Sequence, residues 1–175
     1  MTTNAAPSRP PMELWHRALT DPSLRDLPYK VETNEHGQLV LSPHKPRHSL
    51  QQARVAALLR ELAPAAGLPP GEAATEFAVE TSGGIKVPDV VWISNERLAG
   101  LPDDAEASPV MPEIVVEVLC RSNTRTEMEE KRRLYFAAGA REVWMCDPEG
   151  RLTFFGAEGE VPASELIPSF PTLVA

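Results

Sequence analysis

Apolar residues recur at helical spacing in two long segments of the chain and in one short one. At about 100° per residue, the first long segment places its apolar side chains on one face. These side chains are Val55, Leu58, Leu59 and Leu62. The second long segment opens with the residues of a capping box, Thr124 and Glu127, and closes before Gly139. The predicted helices span residues 12–19, 47–63 and 124–138.

Other segments are apolar or alternate between apolar and polar residues in the way that strands do. Short turn signals separate them in pairs, at 34–37, 82–84 and 147–150. The run around Glu117 is almost wholly β-branched or apolar, which is typical of a central strand buried on both faces. The predicted strands span residues 29–33, 38–42, 72–81, 85–94, 113–120, 142–146 and 152–155, and 99–111 is predicted to be a loop.

This order of elements predicts an α/β fold, a mixed β-sheet flanked by helices. The chain has 175 residues without an internal repeat, so one domain over 12–175 is expected. Residues 1–11 are polar and rich in proline and are predicted to be a disordered tail. The sequence has no apolar signal region and no apolar run near the ~20 residues that span a bilayer. A cytoplasmic protein without a membrane partner is expected.

The charge of the chain argues against a protein that coats nucleic acid non-specifically. Lysine and arginine number 17 and aspartate and glutamate 25, a formal net charge of −8. However, six of the 17 basic residues lie within 121–141, and another basic patch lies at 44–48. These residues are either a local basic footprint on an acidic protein or an ordinary solvated surface, and both interpretations stay open.

Two carboxylates interrupt runs that otherwise have the composition of buried strands. Asp89 lies between Ile85-Lys86-Val87-Pro88 and Val90-Val91-Trp92-Ile93, and Glu117 lies between Val116 and Val118. Aspartate is depleted in strands, and a buried charge is costly unless it is paired or bound to metal. Pro88 removes a ladder donor and indicates an edge or a distortion just before Asp89. Either acid alone could instead cap a neighbour or reach solvent at a strand end.

Lys131 is the third charged residue in an apolar setting. It projects into the middle of the inward stripe of the 124–138 helix, which consists of Met128, Leu134, Tyr135 and Ala138. A lysine on such a stripe needs a negative partner or a route to solvent. The helix directly follows the Glu117 strand and is expected to pack on the same sheet. Glu117 and Asp89 are therefore the expected partners of Lys131.

Together these three groups are the parts needed to hydrolyse a phosphodiester. Two carboxylates from adjacent strands suit Mg²⁺ or Mn²⁺, which take oxygen ligands and keep several waters. An ammonium group beside the metal can orient the attacking water and neutralise charge that develops on the phosphate. A buried salt-bridge triad without catalysis would use the same residues, and this alternative stays open.

The joined pattern of Pro88-Asp89, Glu117-Val118-Leu119 and Lys131 with Tyr135 resembles the PD-(D/E)XK nuclease superfamily. Within that superfamily, Pro112–Gly150 closely resembles the Uma-two family of restriction-endonuclease-like proteins. Val87–Ser94 and the region 39–62, with its Pro46-Arg47-His48 step, also match the pattern of this family. The resemblance covers roughly residues 28 to 156.

This resemblance implies a restriction-endonuclease-like sheet with the order helix, strand, strand, strand, helix, strand. It implies a metal-dependent endonuclease acting on DNA, with Asp89, Glu117 and an adjacent main-chain carbonyl as metal ligands. Many superfamily members carry the lysine two residues after the acid, where this chain has Leu119. The resemblance implies that Lys131 takes over its role. Cys120-Arg121-Ser122 departs from the usual Ser-Pro-Ser at this point without removing a ligand.

The sequence also indicates two further candidate residues, two alternative functions and an oligomeric state. Glu76 is a candidate additional acid near the metal, although a solvated acid is the commoner outcome for such a residue. His48 faces inward at a helix start, where a hydrogen-bonded core histidine is the commoner outcome. The alternative functions are a non-catalytic binding or assembly protein that retains the nuclease fold, and a phosphoesterase of small nucleotides. A homodimer would suit cleavage of both strands.

Overall fold

The structure is a computed structural model that describes residues 11–25, 27–43 and 45–174. The predicted tail lies outside these ranges except for Pro11, which begins a helix. Within them the chain forms the helices α1 (Pro11–Thr20), α2 (Pro22–Arg25), α3 (Pro46–Ala65), α4 (Asn95–Leu98) and α5 (Arg125–Ala137). The first strands are β1 (Tyr29–Thr33), β2 (Leu39–Pro43), β3 (Gly71–Thr75), β4 (Val79–Thr81) and β5 (Gly84–Lys86). They are followed by β6 (Val90–Ser94), β7 (Ile114–Val118), β8 (Glu142–Cys146), β9 (Leu152–Gly156) and β10 (Gly159–Val161).

A six-stranded mixed sheet forms the centre of the fold, with the strand order β10-β9-β8-β7-β6-β3. β7 and β8 are parallel and are joined through α5, whereas the other neighbours are antiparallel. Alternate residues of these strands enter two separate cores, one containing side chains of α3 and the other side chains of α5. Because alternate strand residues face opposite sides, the two helices cover opposite faces of the sheet. The expected mixed α/β fold is confirmed.

The predicted strands over 72–81 and 85–94 are wrong in length, since the chain bends within each of them. Glu76 has a φ of 52°, in the left-handed region that few side chains favour, and β3 ends just before it. Pro88 separates β5 from β6, and the backbone N–H of Glu76 donates to the carbonyl of Asp89 at 3.3 Å. The two bends therefore face each other, and Asp89 precedes β6 instead of interrupting a strand.

The segments beyond these two bends form a separate antiparallel hairpin, β4–β5, which confirms the turn signal at 82–84. This hairpin packs against β1 through buried hydrogen bonds. The backbone N–H of Ile85 donates to Oγ1 of Thr33 at 2.8 Å, and the ammonium group of Lys86 donates to the Thr33 carbonyl at 2.7 Å. A β-carbon on Gly84 would lie 2.7 Å from the Thr33 hydroxyl, so this close approach needs glycine. The contact fixes β1 beside the central sheet.

The predicted helices agree with the structure apart from their ends. The capping box of α5 is present, because the Thr124 hydroxyl accepts from the Glu127 amide and the Glu127 carboxylate accepts from the Thr124 amide. α3 continues past its predicted end and includes Pro64 in its last turn. The sequence did not predict the single-turn helices α2 and α4 or the edge strand β10. Among the described helices, none has the length and apolar character required to cross a bilayer.

Candidate active site

Asp89 and Glu117 meet where β6 and β7 pair. Val90 is opposite Val116 in this antiparallel register, and extending the pairing by one residue places Asp89 opposite Glu117. Directly opposite residues of an antiparallel pair share a face of the sheet. Instead of a ladder bond, the Asp89 carboxylate accepts the backbone N–H of Val118 through Oδ2 at 2.7 Å. The sheet itself therefore orients the first acid beside the second.

The other oxygen of Asp89 is surrounded by donors from two different elements. The ammonium group of Lys30 in β1 donates a hydrogen bond to Oδ1, and the side-chain amide of Gln52 in α3 donates another at 3.1 Å. Nε2 of His48, also in α3, lies 3.0 Å from the same oxygen. Asp89 is 1% exposed. Burial alone would raise the pKa of its carboxyl, but the hydrogen bond from His48 and the charge of Lys30 lower that pKa to about 2. Asp89 is therefore an anion at neutral pH.

Glu117 has fewer partners and the opposite electrostatic balance. Its Oε1 accepts a short hydrogen bond from the Tyr135 hydroxyl and one from the Lys131 ammonium at 3.2 Å. Hydrogen bonds within the described ranges reach Oε1 and not Oε2. Burial raises the pKa of Glu117 above its usual value, although Lys131 and Lys30 oppose the shift. A nearby cation would therefore find a carboxylate oxygen without a hydrogen-bond donor.

Lys131 joins Glu117 to a third buried acid that lies on β1. Its ammonium group lies 2.9 Å from Oε1 of Glu32 and 3.2 Å from Oε1 of Glu117. Burial would lower the pKa of Lys131, but the two carboxylates outweigh it and raise the pKa above its usual range. The structure thus brings Lys131 to Glu117, as the inward stripe of α5 predicts, and keeps it protonated. Its ion pairs are with Glu117 and Glu32 rather than with Asp89.

Lys30 and Glu32 are two members of the site that the sequence analysis did not find. They alternate with Val31 along β1, which is the pattern expected when charged side chains of a strand face solvent. Here the charged face is buried instead, because Glu32 is 2% exposed and the Lys30 side chain is 9% exposed. One feature of the sequence could have indicated these residues, namely that the opposite charges of Lys30 and Glu32 lie on the same face of the strand. The sequence contains nothing that shows this face turned inward.

Glu32 is expected to stabilise the fold by holding two donors at once. Its Oε1 accepts from Lys131 and from the backbone N–H of Val87 at 2.8 Å. Glu32→Gln removes the buried charge that faces Lys131 and is expected to lower the free energy of unfolding by about 3 kcal/mol. Glu35→Gln is the matched control, because Glu35 is exposed in the adjacent turn, and its effect should stay within about 0.5 kcal/mol. Urea unfolding compares the two variants, and equal effects would contradict this role.

The two weaker candidates, His48 and Glu76, both reach the site. His48 projects from the first turn of α3 onto Asp89, so it is not a core histidine bonded elsewhere. Glu76 lies in the exposed bend after β3, not on a strand, which corrects its predicted position. Its Oε1 accepts from the Gln52 amide at 2.6 Å, and the same amide donates to Asp89. Gln52 therefore links Glu76 to Asp89, and no pattern along the chain indicates a role for this glutamine.

Six of the side chains described above line a cleft of about 490 Å³ that is open to solvent. Of its lining, the groups used below are Lys30, His48, Glu76, Asp89, Glu117 and Lys131. No three His, Cys, Asp or Glu side chains in the described ranges form a group able to hold a metal by themselves. Mg²⁺ needs fewer protein ligands, since it usually keeps several waters and takes one or two carboxylates. The carboxylates of Asp89 and Glu117 fit such an ion, since they lie side by side and Oε2 of Glu117 accepts no hydrogen bond from the described residues.

The low pKa of Asp89 links its charge to the stability of the protein. The folded pKa of about 2 lies below the ordinary 3.8, so the ionised form favours folding. This contribution, about 2 kcal/mol, is complete above pH 3.8 and is lost as the pH falls toward 2. Asp89→Asn lowers the free energy of unfolding, and this difference from the unchanged protein should be about 2 kcal/mol smaller at about pH 2 than at about pH 5. Urea unfolding of both proteins at the two pH values measures the difference. A difference that does not change with pH would contradict the link between the charge of Asp89 and stability.

The chain is similar both to a known protein family and to a solved structure. A family model described as "Uma2: Putative restriction endonuclease" matches residues 22–165. Among solved structures, the chain is similar to a "putative nuclease belonging to DUF820" from Anabaena variabilis, with a TM-score of 0.67 and 16% sequence identity. That similarity covers 82% of this chain and 87% of the other and confirms a nuclease-type fold. No curated protein matches the chain.

Proposed function

Since the chain belongs to the Uma2 family, as the sequence resemblance indicated, we propose that it is a metal-dependent endonuclease that hydrolyses phosphodiester bonds in DNA. The observation that carries this proposal is that Asp89, just before β6, and Glu117, in the adjacent strand β7, line one open cleft, with Lys131 bonded to the second acid. Metal-assisted hydrolysis of a phosphodiester can use a divalent cation with an ammonium group beside it, and this cleft offers ligands for the first and contains the second.

The charge of the cleft supports cation binding. The acids that line the cleft, Glu76, Asp89, Glu117 and Glu127, outnumber its two lysines, Lys30 and Lys131. Counted by these aspartate, glutamate and lysine side chains, the lining carries two net negative charges. An additional cation would offset this charge and would favour the ionised form of Glu117, whose pKa is raised by burial first and then by the neighbouring acids.

Each protein group has a role in this proposal. Asp89 and Glu117 would hold Mg²⁺ or Mn²⁺, with the adjacent main-chain carbonyl as a further ligand. When bound, the metal would polarise the phosphate and lower the pKa of a bound water. Lys131 is already protonated, so it orients the attacking water and neutralises charge that develops on the phosphate oxygens. The oxygen of the attacking water bonds to phosphorus while the bond to the leaving oxygen breaks. The proton that this water loses passes to solvent, and the leaving oxygen takes up a proton from solvent.

Cleavage of supercoiled plasmid tests the activity directly. The purified protein should convert the plasmid to nicked or linear DNA when Mg²⁺ or Mn²⁺ is present, and EDTA should stop the conversion. Mononucleotide phosphoesters serve as parallel substrates. Conversion that persists in EDTA would contradict metal dependence, and hydrolysis restricted to the mononucleotides would replace DNA as the substrate.

A non-catalytic binding or assembly protein is the second candidate function. The observation in its favour is that Asp89 already has four hydrogen-bond partners without a metal, including the ammonium of Lys30. The net charge of −8 also weakens attraction to DNA. Calorimetry separates the two functions, because a protein of this second kind would bind neither Mg²⁺ nor Mn²⁺.

Lys30 is expected to compete with the metal for Asp89. Its ammonium group lies directly on Oδ1 of the carboxylate that would bind the ion. Lys30→Met removes this positive charge but keeps most of the side-chain volume, and it is expected to tighten Mn²⁺ binding by about tenfold. Lys45→Met, at an exposed lysine outside the cleft, is the control and should leave the affinity unchanged. Calorimetric titration measures both, and weaker binding to the Lys30 variant would contradict competition.

A further inference from the structure

A groove of about 780 Å³ continues from the cleft across the carboxyl ends of β7 and β8. Cys120 and Asn123 line both the cleft and the groove, so the two depressions are contiguous. The groove runs past the first turns of α5 and reaches β9 and β10. None of the interactions proposed for hydrolysis uses it.

The groove has an apolar floor and a rim of arginines. Its floor consists of Leu119, Met128, Met145 and Phe155. Leu119 stands two residues after Glu117 and directly follows β7. The guanidinium of Arg132 lies 4.2 Å from the centre of the Phe155 ring, and Arg121 and Arg125 also line the groove.

The charge at this rim differs from that of the protein as a whole. Arg121 also lines a smaller depression beside the groove, together with Lys45 and Arg47. The two depressions together have five lysines and arginines in their lining and three glutamates, Glu129, Glu149 and Glu160, whereas the chain carries a net charge of −8. The basic residues near the site therefore form a local footprint suited to a polyanion.

We propose that this groove binds an unpaired segment of the nucleic-acid strand next to the scissile phosphodiester. Its bases lie on the apolar floor, and its phosphates face Arg121 and Arg132. This inference rests on the proposed nuclease function and specifies its substrate as nucleic acid with unpaired nucleotides beside the cleavage position. Apolar surfaces rimmed by arginine are the usual means of binding single strands without sequence readout.

The apolar floor distinguishes an unpaired strand from a duplex. A duplex directs its phosphates outward and stacks its bases inside, so a recessed apolar surface at the end of a cleft would have no partner. An unpaired strand can turn its bases away from the backbone toward Leu119 and Met128. A basic rim alone would suit either ligand, and the floor therefore decides between them.

Anisotropy of fluorescein-labelled oligonucleotides tests the role of the bases, with EDTA present so that no cleavage occurs. Oligothymidylate should bind at least about fivefold more tightly than an abasic strand of equal length, because the two differ only in their bases. It should also bind more tightly than a blunt duplex of that length. Equal affinity for the abasic strand, or tighter binding of the blunt duplex, would overturn the proposal.

Two neighbouring arginines of α5 provide a variant and its matched control for testing whether the arginines of the rim bind the strand. Arg132 lies over Phe155 in the groove, whereas Arg133 pairs with Glu130 on the exposed face of the same helix. Arg132→Ala and Arg121→Ala should each weaken oligothymidylate binding about fivefold and reduce the salt slope by about 0.7. Arg133→Ala should leave both unchanged. Equal effects of Arg132→Ala and Arg133→Ala would overturn the proposal.

The two proposals fail in different experiments. Binding in EDTA does not require the metal or the chemistry, so an inactive protein could still bind single strands in the groove. A protein that nicks plasmid but binds the abasic strand as well as oligothymidylate would keep its proposed function and lose this substrate preference.

Discussion

Asp89→Asn is expected to lower the rate of plasmid cleavage by about a thousandfold or more. Asparagine keeps the shape of the side chain but removes the negative charge that would bind the metal. Its amide nitrogen would also face donors, because Asp89 accepts from Val118 through one oxygen and from Lys30 and Gln52 through the other. Calorimetry should show loss of Mn²⁺ binding in the same variant.

Loss of stability must be separated from loss of chemistry in this variant. Asp89→Asn leaves the buried ammonium of Lys30 without its closest counter-charge and should lower the free energy of unfolding by about 3 kcal/mol near neutral pH. Cleavage is therefore measured at a temperature where circular dichroism shows the variant folded. Asp103→Asn, in an exposed loop, controls for the change of residue type. A folded Asp89→Asn protein that cleaves within tenfold of the unchanged protein, a threshold of about 1.4 kcal/mol, would remove Asp89 from the mechanism.

Lys131→Met is expected to have the second-largest effect, a loss of cleavage rate of about a hundredfold to a thousandfold. Methionine keeps the apolar contacts of the side chain on α5 but removes the ammonium group that lies between Glu32 and Glu117. Mn²⁺ binding should persist, since both proposed ligands remain. This combination of retained metal and lost cleavage distinguishes Lys131 from Asp89.

Loss of stability must be separated from loss of chemistry in this variant too. Removing Lys131 leaves Glu32 and Glu117 buried without their shared cation and should lower the free energy of unfolding by about 3 kcal/mol. A salt bridge without catalysis would lose the same stability, so only the cleavage rate of the folded variant separates the two functions. Arg133→Met, at an exposed position of α5, is the control and should change stability by less than about 0.5 kcal/mol. Higher stability together with unchanged cleavage would contradict the role given to Lys131.

The long helices and central strands could be predicted because their signals are local. The capping box at Thr124 and Glu127 and the apolar stripe of α5 depend only on residues within that helix. The apolar composition of β7 and β8 likewise reflects burial on both faces. These elements position Glu117 and Lys131, so part of the site could be predicted with them.

The bends at Glu76 and Pro88 could not be located from the sequence. Each lies inside a run that has strand composition on both sides, and the break depends on the β4–β5 hairpin packing against Thr33 of β1. Pro88 did indicate a distortion, but the residues around it do not show where the chain leaves the sheet. As a result, Asp89 was assigned to a strand interior when it precedes β6.

The charged residues of the site also fall into two groups, those that a local pattern in the sequence indicates and those that it does not. Asp89, Glu117 and Lys131 were found because each breaks an apolar pattern at its own position. Lys30 and Glu32 break no pattern, since alternating charges on β1 are what an exposed strand would have. Their burial results from the tertiary contact of β1 with α5 and the β6–β7 pair. The sequence therefore predicts only those charged residues of the site that interrupt an apolar pattern, and not those that the packing of β1 buries.

A crystal structure of the protein with Mn²⁺, located by its anomalous scattering, tests most directly whether the two acids form one metal site. The expected result is a strong anomalous peak within about 2.3 Å of one carboxylate oxygen of Asp89 and one of Glu117. A saturated crystal with Mn²⁺ bound only elsewhere, and with Lys30 still paired to Asp89, would contradict a metal-dependent nuclease at this cleft.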